Sequence, residues 1–371
     1  MATVGSRGVS TGRAQADVTS GRTNADVSQR EDLSNFISMI TRDETPFMAS
    51  IGKTKATAIY HEWQTDELEA PTSSRLAEGA DYGAEATDTV GPNRTRLGNY
   101  TQINGKAISV SGTRRAIDQA GVADEYAYQL KKRGTEMRRD VERDLVHTLN
   151  VATGSGTRSM GNYLAFVNSA DTVVYKGEFQ APSAAGTSPG TDAAGADTVR
   201  SSINGSTTAP ARGSLTLSDI DTVMQKIYEE GGKANRIMLS PKLRRDFSDL
   251  MVTDSGVRRN IDEGGKLRQS VDVYMSDFGD VMVVPNYIMG LTNSVAFTGD
   301  DNVAHSGAGL TDMADFAALV YDPSWFKMAT LRPLQEVDVG QKGDSTIGMM
   351  VEESTLEVLN PRGCGAIYGL S

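Results

Sequence analysis

The segment from Ala123 to Asn150 constrains this chain more than any other. Ala123, Tyr126, Ala127, Leu130, Gly134, Met137, Val141, Leu145 and Leu149 recur at three- and four-residue steps, and Lys131, Lys132, Arg133, Glu136, Arg138, Arg139, Asp140, Glu142, Arg143 and Asp144 fill the positions between. That period predicts one long helix with a single narrow apolar stripe. At 1.5 Å per residue it reaches about 40 Å, longer than an ordinary helix of a compact domain. Gly134 costs such a helix about 1 kcal/mol relative to alanine unless a close contact requires it. A surface helix of a large α+β domain has the same pattern, so the segment alone does not name a fold.

Several function classes fall away on composition. One cysteine, Cys364, cannot form an internal disulfide, and His61, His147 and His305 are too far apart for a helical ligand pair. No nucleophile elbow or phosphate-binding loop is present, so no catalytic, cofactor-binding or metal residue is assigned. No stretch approaches the roughly 18 apolar residues of a membrane span, and the amino end shows no export signal, so a membrane partner is not expected. With 37 basic and 48 acidic residues the net charge is −11, which argues against a surface built throughout to grip phosphates.

Residues 1–30 are small and polar with scattered Arg7, Arg13, Arg22 and Arg30, and read as an arm ordered only against something else. Ser28 and Glu31 form a capping-box pattern ahead of Leu33, Phe36, Ile37 and Ile40, a short helix that Thr45-Pro46 is expected to end. Ala58 to Leu68 reads as a strand with Ile59, His61 and Trp63 on one face. Thr95 to Thr113 reads as one or two more, making a long two-stranded excursion that needs a surface to lie on.

Its two limbs differ in charge. Residues 62–89 hold eight acids against Arg75 alone, whereas residues 90–117 hold five bases and no acid. Cross-strand pairing within the hairpin accounts for this, and so does complementarity between copies of the chain. Both readings stay open.

Residues 177–214 are mostly Ala, Ser, Thr and Gly and are expected to lack packed structure. Helices are predicted over 215–230 and from Ser240-Pro241 onward, and strands at 236–239, 271–275, 279–285 and 293–299, so that 215–300 forms a unit with its own core. From Phe316 onward the chain is strand-rich and is expected to pair with elements far upstream.

This order of parts resembles the HK97-type major capsid protein of tailed bacteriophages, an α+β fold made of an N-arm, an E-loop, a P-domain with a long spine helix, and an A-domain. The run QREDLSNFISMITRDETPFMASIGKTKATAIYHEWQTDEL, Gln29 to Leu68, is similar to the opening of the SU10-type major head proteins. The resemblance implies an arm and short helix at 1–52, an E-loop at 53–117, the spine helix at 118–153, an insertion at 154–214, an A-domain at 215–312, and terminal strands returning to the P-domain at 313–371.

It also implies a structural protein, not an enzyme, that self-assembles into an icosahedral shell around the genome of a double-stranded DNA phage. Copies of the chain in hexamers and pentamers are the implied partners, with portal, scaffold and decoration proteins, and with packaged double-stranded DNA held non-specifically. The location implied is the virion, after assembly in the bacterial host cytoplasm. The candidate subunit-interface residues are Trp63, Glu62, Asp66, Glu67, Glu69, Arg94, Arg96, Lys106, Arg114 and Arg115. Tyr126, Leu130, Met137, Val141 and Leu145 are the candidate packing residues of the spine helix. Hinges are expected at Gly52–Thr57 and Ser111–Thr113. The rival reading is the shell of an encapsulin-like compartment, which the run at 29–68 disfavours.

Overall fold

A computed structural model describes residues 44–66, 94–117, 124–146, 156–167, 172–176, 213–253, 272–290 and 317–370, with a few single positions between them. The expected arm, the helix over 28–40 and the strand at 293–299 lie outside the described residues. Contacts divide the chain into two units, one formed by Met1–Ile40 with Ile117–Ala123, the other by Thr41–Ala116 with Asp124–Ser371. The second carries the architecture below.

In chain order its elements are α1 (Pro46–Ser50), β1 (Gly52–Lys55), β2 (Tyr60–Thr65), β3 (Thr95–Tyr100), β4 (Gln102–Ser111), α2 (Gly112–Ala116), α3 (Glu125–Val146), α4 (Tyr163–Phe166) and β5 (Val173–Tyr175). There follow α5 (Leu217–Glu229), β6 (Arg236–Leu239), α6 (Pro241–Thr253), β7 (Val273–Ser276), β8 (Gly279–Pro285), β9 (Ala318–Tyr321), β10 (Phe326–Lys342), β11 (Ser345–Val358) and β12 (Gly365–Tyr368).

Among the described residues the strands form three sheets, ordered β1-β10-β11-β4, β5-β12-β9-β6-β8-β7 and β2-β3. In the six-stranded sheet successive residues point to opposite faces and both faces are covered. Ile237, Leu239, Val281, Val283, Ala318, Val320 and Ile367 pack beneath α5 and α6. Met238, Leu319, Tyr321, Ala366 and Tyr368 enter the main core with Phe47, Val141, Leu145, Tyr163 and Phe326. Burial on both sides explains the near-continuous apolar runs of β6, β9 and β12. The helix α5 starts at a capping box in which the Thr216 amide donates to Asp219 at 2.9 Å.

The four-stranded sheet is built on the β10–β11 hairpin, which turns at Gly343 with φ +66°, a left-handed conformation suited to glycine. Its register slips between Arg332 and Gln335, around Pro333, which has no N–H to give the ladder. β4 runs antiparallel to β11, and β1 runs parallel to β10.

Pro46 opens a helix: Thr45, at φ −127° and ψ 76°, is non-helical, as suits a residue before proline, and serves as N-cap of α1 with proline at the first helical position, while the helix expected to end there lies outside the described residues. Four expectations are corrected. Gly52–Lys55, expected as a hinge, is strand β1 fixed along β10. Gly112, in the other expected hinge, starts helix α2.

The insertion expected at 154–214 holds core in its first part, because Met160, Tyr163, Leu164, Phe166 and Val167 are each at most 2% exposed. Residues 177–212 lie outside the described residues. Finally, residues 215–300 do not complete their own sheet: β9 lies between β6 and β12, and β5 closes the far edge.

Candidate inter-subunit surface

The elements that were expected to face other copies fall into two kinds once their contacts are known. The root of the charged hairpin, β2 with β3, is fixed to its own chain. His61 and Trp63 turn inward from β2 while Glu62 and Gln64 turn outward, as the alternation requires. Trp63 is 9% exposed, lies in the main core beside Phe166, and donates from Nε1 to the Val358 carbonyl at 2.8 Å. That corrects its assignment as an interface residue: a tryptophan finds its apolar contacts and its hydrogen bond within one chain here. His61 Nε2 lies 3.0 Å from Glu357 Oε2.

On β3, Asn99 is fully buried and uses both ends of its amide. It donates to the Leu356 carbonyl at 2.8 Å and the Gly161 carbonyl at 3.0 Å, and accepts from the Gly161 amide at 2.8 Å. Two residues on, Thr101 donates to Glu353 at 2.8 Å. Glu353 also meets Arg158 and Arg332, each at 2.8 Å. Burial works to raise this carboxyl, but the Thr101 hydroxyl and the two guanidiniums outweigh it and hold it below the ordinary range.

The charged candidates pair mostly within the chain. Arg94 reaches Asp66 at 3.4 Å and Arg96 reaches Glu62 at 3.2 Å, across the β2–β3 ladder. Lys106 leaves the hairpin pattern altogether and bonds Asp140 of α3 at 2.6 Å and Glu136 at 3.5 Å. Arg114 lies 3.6 Å from Glu125, and Arg115 donates to Thr346 at 3.3 Å. Glu67 and Glu69 lie outside the described residues. For Glu62, Asp66, Arg94 and Arg96, cross-strand pairing is the arrangement found. These exposed pairs contribute little stability, about 0–1 kcal/mol each.

The second kind of element is α3. Its 22 residues span about 33 Å. Met137, Val141 and Leu145 are buried, and Tyr126 and Leu130 are half-buried against Ile108, Val110 and Met350 of the four-stranded sheet. The Tyr126 hydroxyl donates to Glu336 at 2.5 Å, and that bond together with burial pushes its pKa up to about 12. One glycine makes the close approach possible. A Cβ on Gly348 would overlap the Tyr126 hydroxyl, whereas one on Gly134 would come within 3.3 Å only of the flexible end of the Met350 side chain, which does not by itself require a glycine inside the helix.

Glu142, toward the other end of α3, is 0% exposed and accepts from the Phe47 amide at 2.8 Å, the Met48 amide at 2.7 Å and the Asn286 side chain at 2.8 Å. It thereby joins α1, α3 and the turn after β8. Burial raises its pKa, and the three N–H donors offset this only in part. Sequence reasoning missed Glu142, Asn99, Glu353 and Asn286, because each reads as a surface polar residue until partners tens to hundreds of positions away are known. Among the described residues no cluster of His, Cys, Asp or Glu could hold a metal, and no helix is long and apolar enough to cross a membrane.

A family model described as SU10 major capsid protein matches residues 15–371. A major capsid protein of Escherichia phage Phieco32 is 28% identical over 250 residues, covering 63% of this chain and 70% of that protein. Among solved structures, the capsid of Cyanophage P-SCSP1u aligns over 97% of this chain and 98% of its own, with a TM-score of 0.51 at 11% identity. A structure from Mycobacterium phage Bobi aligns over 93% and 96%, with a TM-score of 0.54 at 12% identity. At such identities the likeness concerns the fold, which is the α+β arrangement of phage capsid proteins.

Proposed function

The chain belongs to the SU10 major capsid protein family, and on that premise we propose that its copies, as hexamers and pentamers, close into the icosahedral head of a tailed phage around double-stranded DNA. It is a phage major capsid protein, and its role is structural. The observation that carries the reading is the extent of the family match, since residues 15–371 include both large sheets and α3.

A ring of five or six identical subunits requires one patch of each copy to meet a different patch of the next. The parts proposed to reach neighbours are the arm within 1–52 and the portion of the 53–117 loop between Asp66 and Arg94. Both are poor in the apolar residues needed to make a core of their own. In this reading β2, β3 and β4 are the fixed root of that loop. Portal, scaffold and decoration proteins and non-specifically held DNA are the further partners, and assembly takes place in the host cytoplasm.

Electron microscopy of the purified protein tests the proposal. Uniform closed particles are expected, and a protein that stays monomeric at every concentration and salt overturns it. Nuclease-protected DNA in particles from infected cells, with no co-purifying cargo enzyme, separates a phage head from an enzyme compartment.

A further inference from the structure

The most deeply buried acid of α3 serves a different helix. α1 has five residues, too few to be stable alone, and its N-cap Thr45 makes no side-chain cap bond. The amides of Phe47 and Met48, orphan donors of its first turn, are taken up instead by the two oxygens of Glu142, Phe47 by Oε1 at 2.8 Å and Met48 by Oε2 at 2.7 Å. Oε1 also accepts from Asn286 Nδ2 at 2.8 Å. The Phe47 ring is held beside Tyr163, Tyr321 and Phe326, with centroids 6.0, 5.3 and 5.6 Å away. Since α1 joins the arm to β1, its seat is the root of the arm.

That position suits the geometry of a carboxylate better than its charge. Glu142 is 0% exposed and makes no ion pair among the described residues, so its ionised form has three N–H donors and no cation. Of the elements packed around it, α1 and the turn after β8 present only those N–H groups. β9 presents the Tyr321 hydroxyl, kept neutral by its own burial and by the Glu142 charge, and Arg236 of β6 acts on that hydroxyl. Burial outweighs the donors and raises the pKa of Glu142 above its ordinary value. A proton does not break the seat, because a neutral carboxyl still offers a carbonyl oxygen with two lone pairs and a hydroxyl oxygen that accepts. Lifting α1 away returns Glu142 to water and to its ordinary value of 4.5.

We propose that Glu142 is a proton-operated latch on the root of the arm: α1 seats more firmly when the carboxyl takes up a proton from solvent and more loosely when it gives that proton back. The seated state has the higher pKa, so seating gains as pH falls through the raised value and is level below 4.5. The latch works inside one subunit and stands apart from the shell reading. It adds a control on the segment that the shell reading sends to neighbouring copies.

Two measurements on unassembled full-length protein test it. Carbon-13 labelling of the glutamate side chains, with Glu142→Gln to assign the resonance, reads the titration of this carboxyl directly. A midpoint above 4.5 is expected, and one at or below 4.5 overturns the inference. Hydrogen exchange over residues 46–51, corrected for the intrinsic pH dependence of exchange, reads the seat. Its protection is expected to rise as pH is lowered from about 8 to about 5, by at most about tenfold per pH unit for one proton, and to lose this dependence in Glu142→Gln. Protection that ignores pH in the wild type, or that follows it equally in Glu142→Gln, overturns the inference. If that variant fails to fold, Asn286→Ala carries the test: with one donor to the charged form removed, one glutamate midpoint should move further up, and a set of midpoints left unchanged overturns the inference.

Discussion

The two halves of α3 have opposite surroundings. Toward the C-terminus Val141, Glu142, Leu145 and Val146 are all buried, enclosed by α1, α4 and the turn after β8. Toward the N-terminus the helix touches the four-stranded sheet along one side only, through Tyr126, Leu130 and Met137, and its other side is basic and solvated. One half is part of the core that makes a subunit. The other, among the described residues, packs on one side and leaves its basic side open. A continuous helix thus has a core half and a half with one open side, and substitutions along it should divide accordingly.

The largest effect is expected at Glu142. Replacing it with alanine leaves the amides of Phe47 and Met48 and the Asn286 side chain buried without an acceptor and opens a cavity, so about 3–5 kcal/mol of stability should be lost. Urea unfolding of unassembled protein measures it, and a loss below about 1 kcal/mol would erase the contrast between the halves. Trp63→Ala comes next, at about 3 kcal/mol or more for the lost ring and its bond to Val358. If Trp63 instead served subunit contacts, this variant would keep its monomer stability and lose only assembly.

The same division explains what the sequence revealed. The stripe of α3, the α5 and α6 helices and the inward face of β2 follow from period alone, because each buries residues at regular steps against one surface. The resemblance carried by residues 29–68 pointed to the family. Period did not reveal that β4 leaves β3 to pair with β11, nor that Met160 to Val167 is core. Those depend on contacts spanning more than 200 positions, as in the register of Ile108 with Gly348 or the bond from the Tyr163 hydroxyl to the Gly365 carbonyl. Charge was equally ambiguous in one dimension: the two limbs looked complementary to each other, yet Lys106 pairs with α3.

Two buried carboxylates extend the comparison to pH. Glu353 sits between two arginines with its pKa depressed, so its stabilisation is complete above the ordinary carboxylate value of 4.5 and is lost as pH falls through the folded value. Glu142 is raised, so the folded state holds its proton more tightly than the unfolded state. Its contribution therefore grows as pH falls from that raised value toward 4.5 and is flat below. Glu353→Gln should cost about 1–3 kcal/mol near neutral pH and less at an acid pH below the depressed folded value, where the wild-type carboxyl takes up its own proton. An equal cost at both pH values would mean that the arginines do not act through charge.

The smallest effect is expected on the solvated half of α3. Alanine is a better helix former than either residue, and among the described residues neither side chain makes an ion pair or hydrogen bond, so Lys131→Ala with Arg138→Ala should shift subunit stability by no more than about 0.5 kcal/mol. Their like charges stand two turns apart on one face, and removing them relieves a small repulsion. A loss of more than about 1 kcal/mol in unassembled protein would show that these side chains belong to the fold, and the two halves of the helix would no longer be distinct. A stability held within that narrow margin, together with weakened particle formation in the same variant, is an outcome that no purely intramolecular role for the basic face can produce.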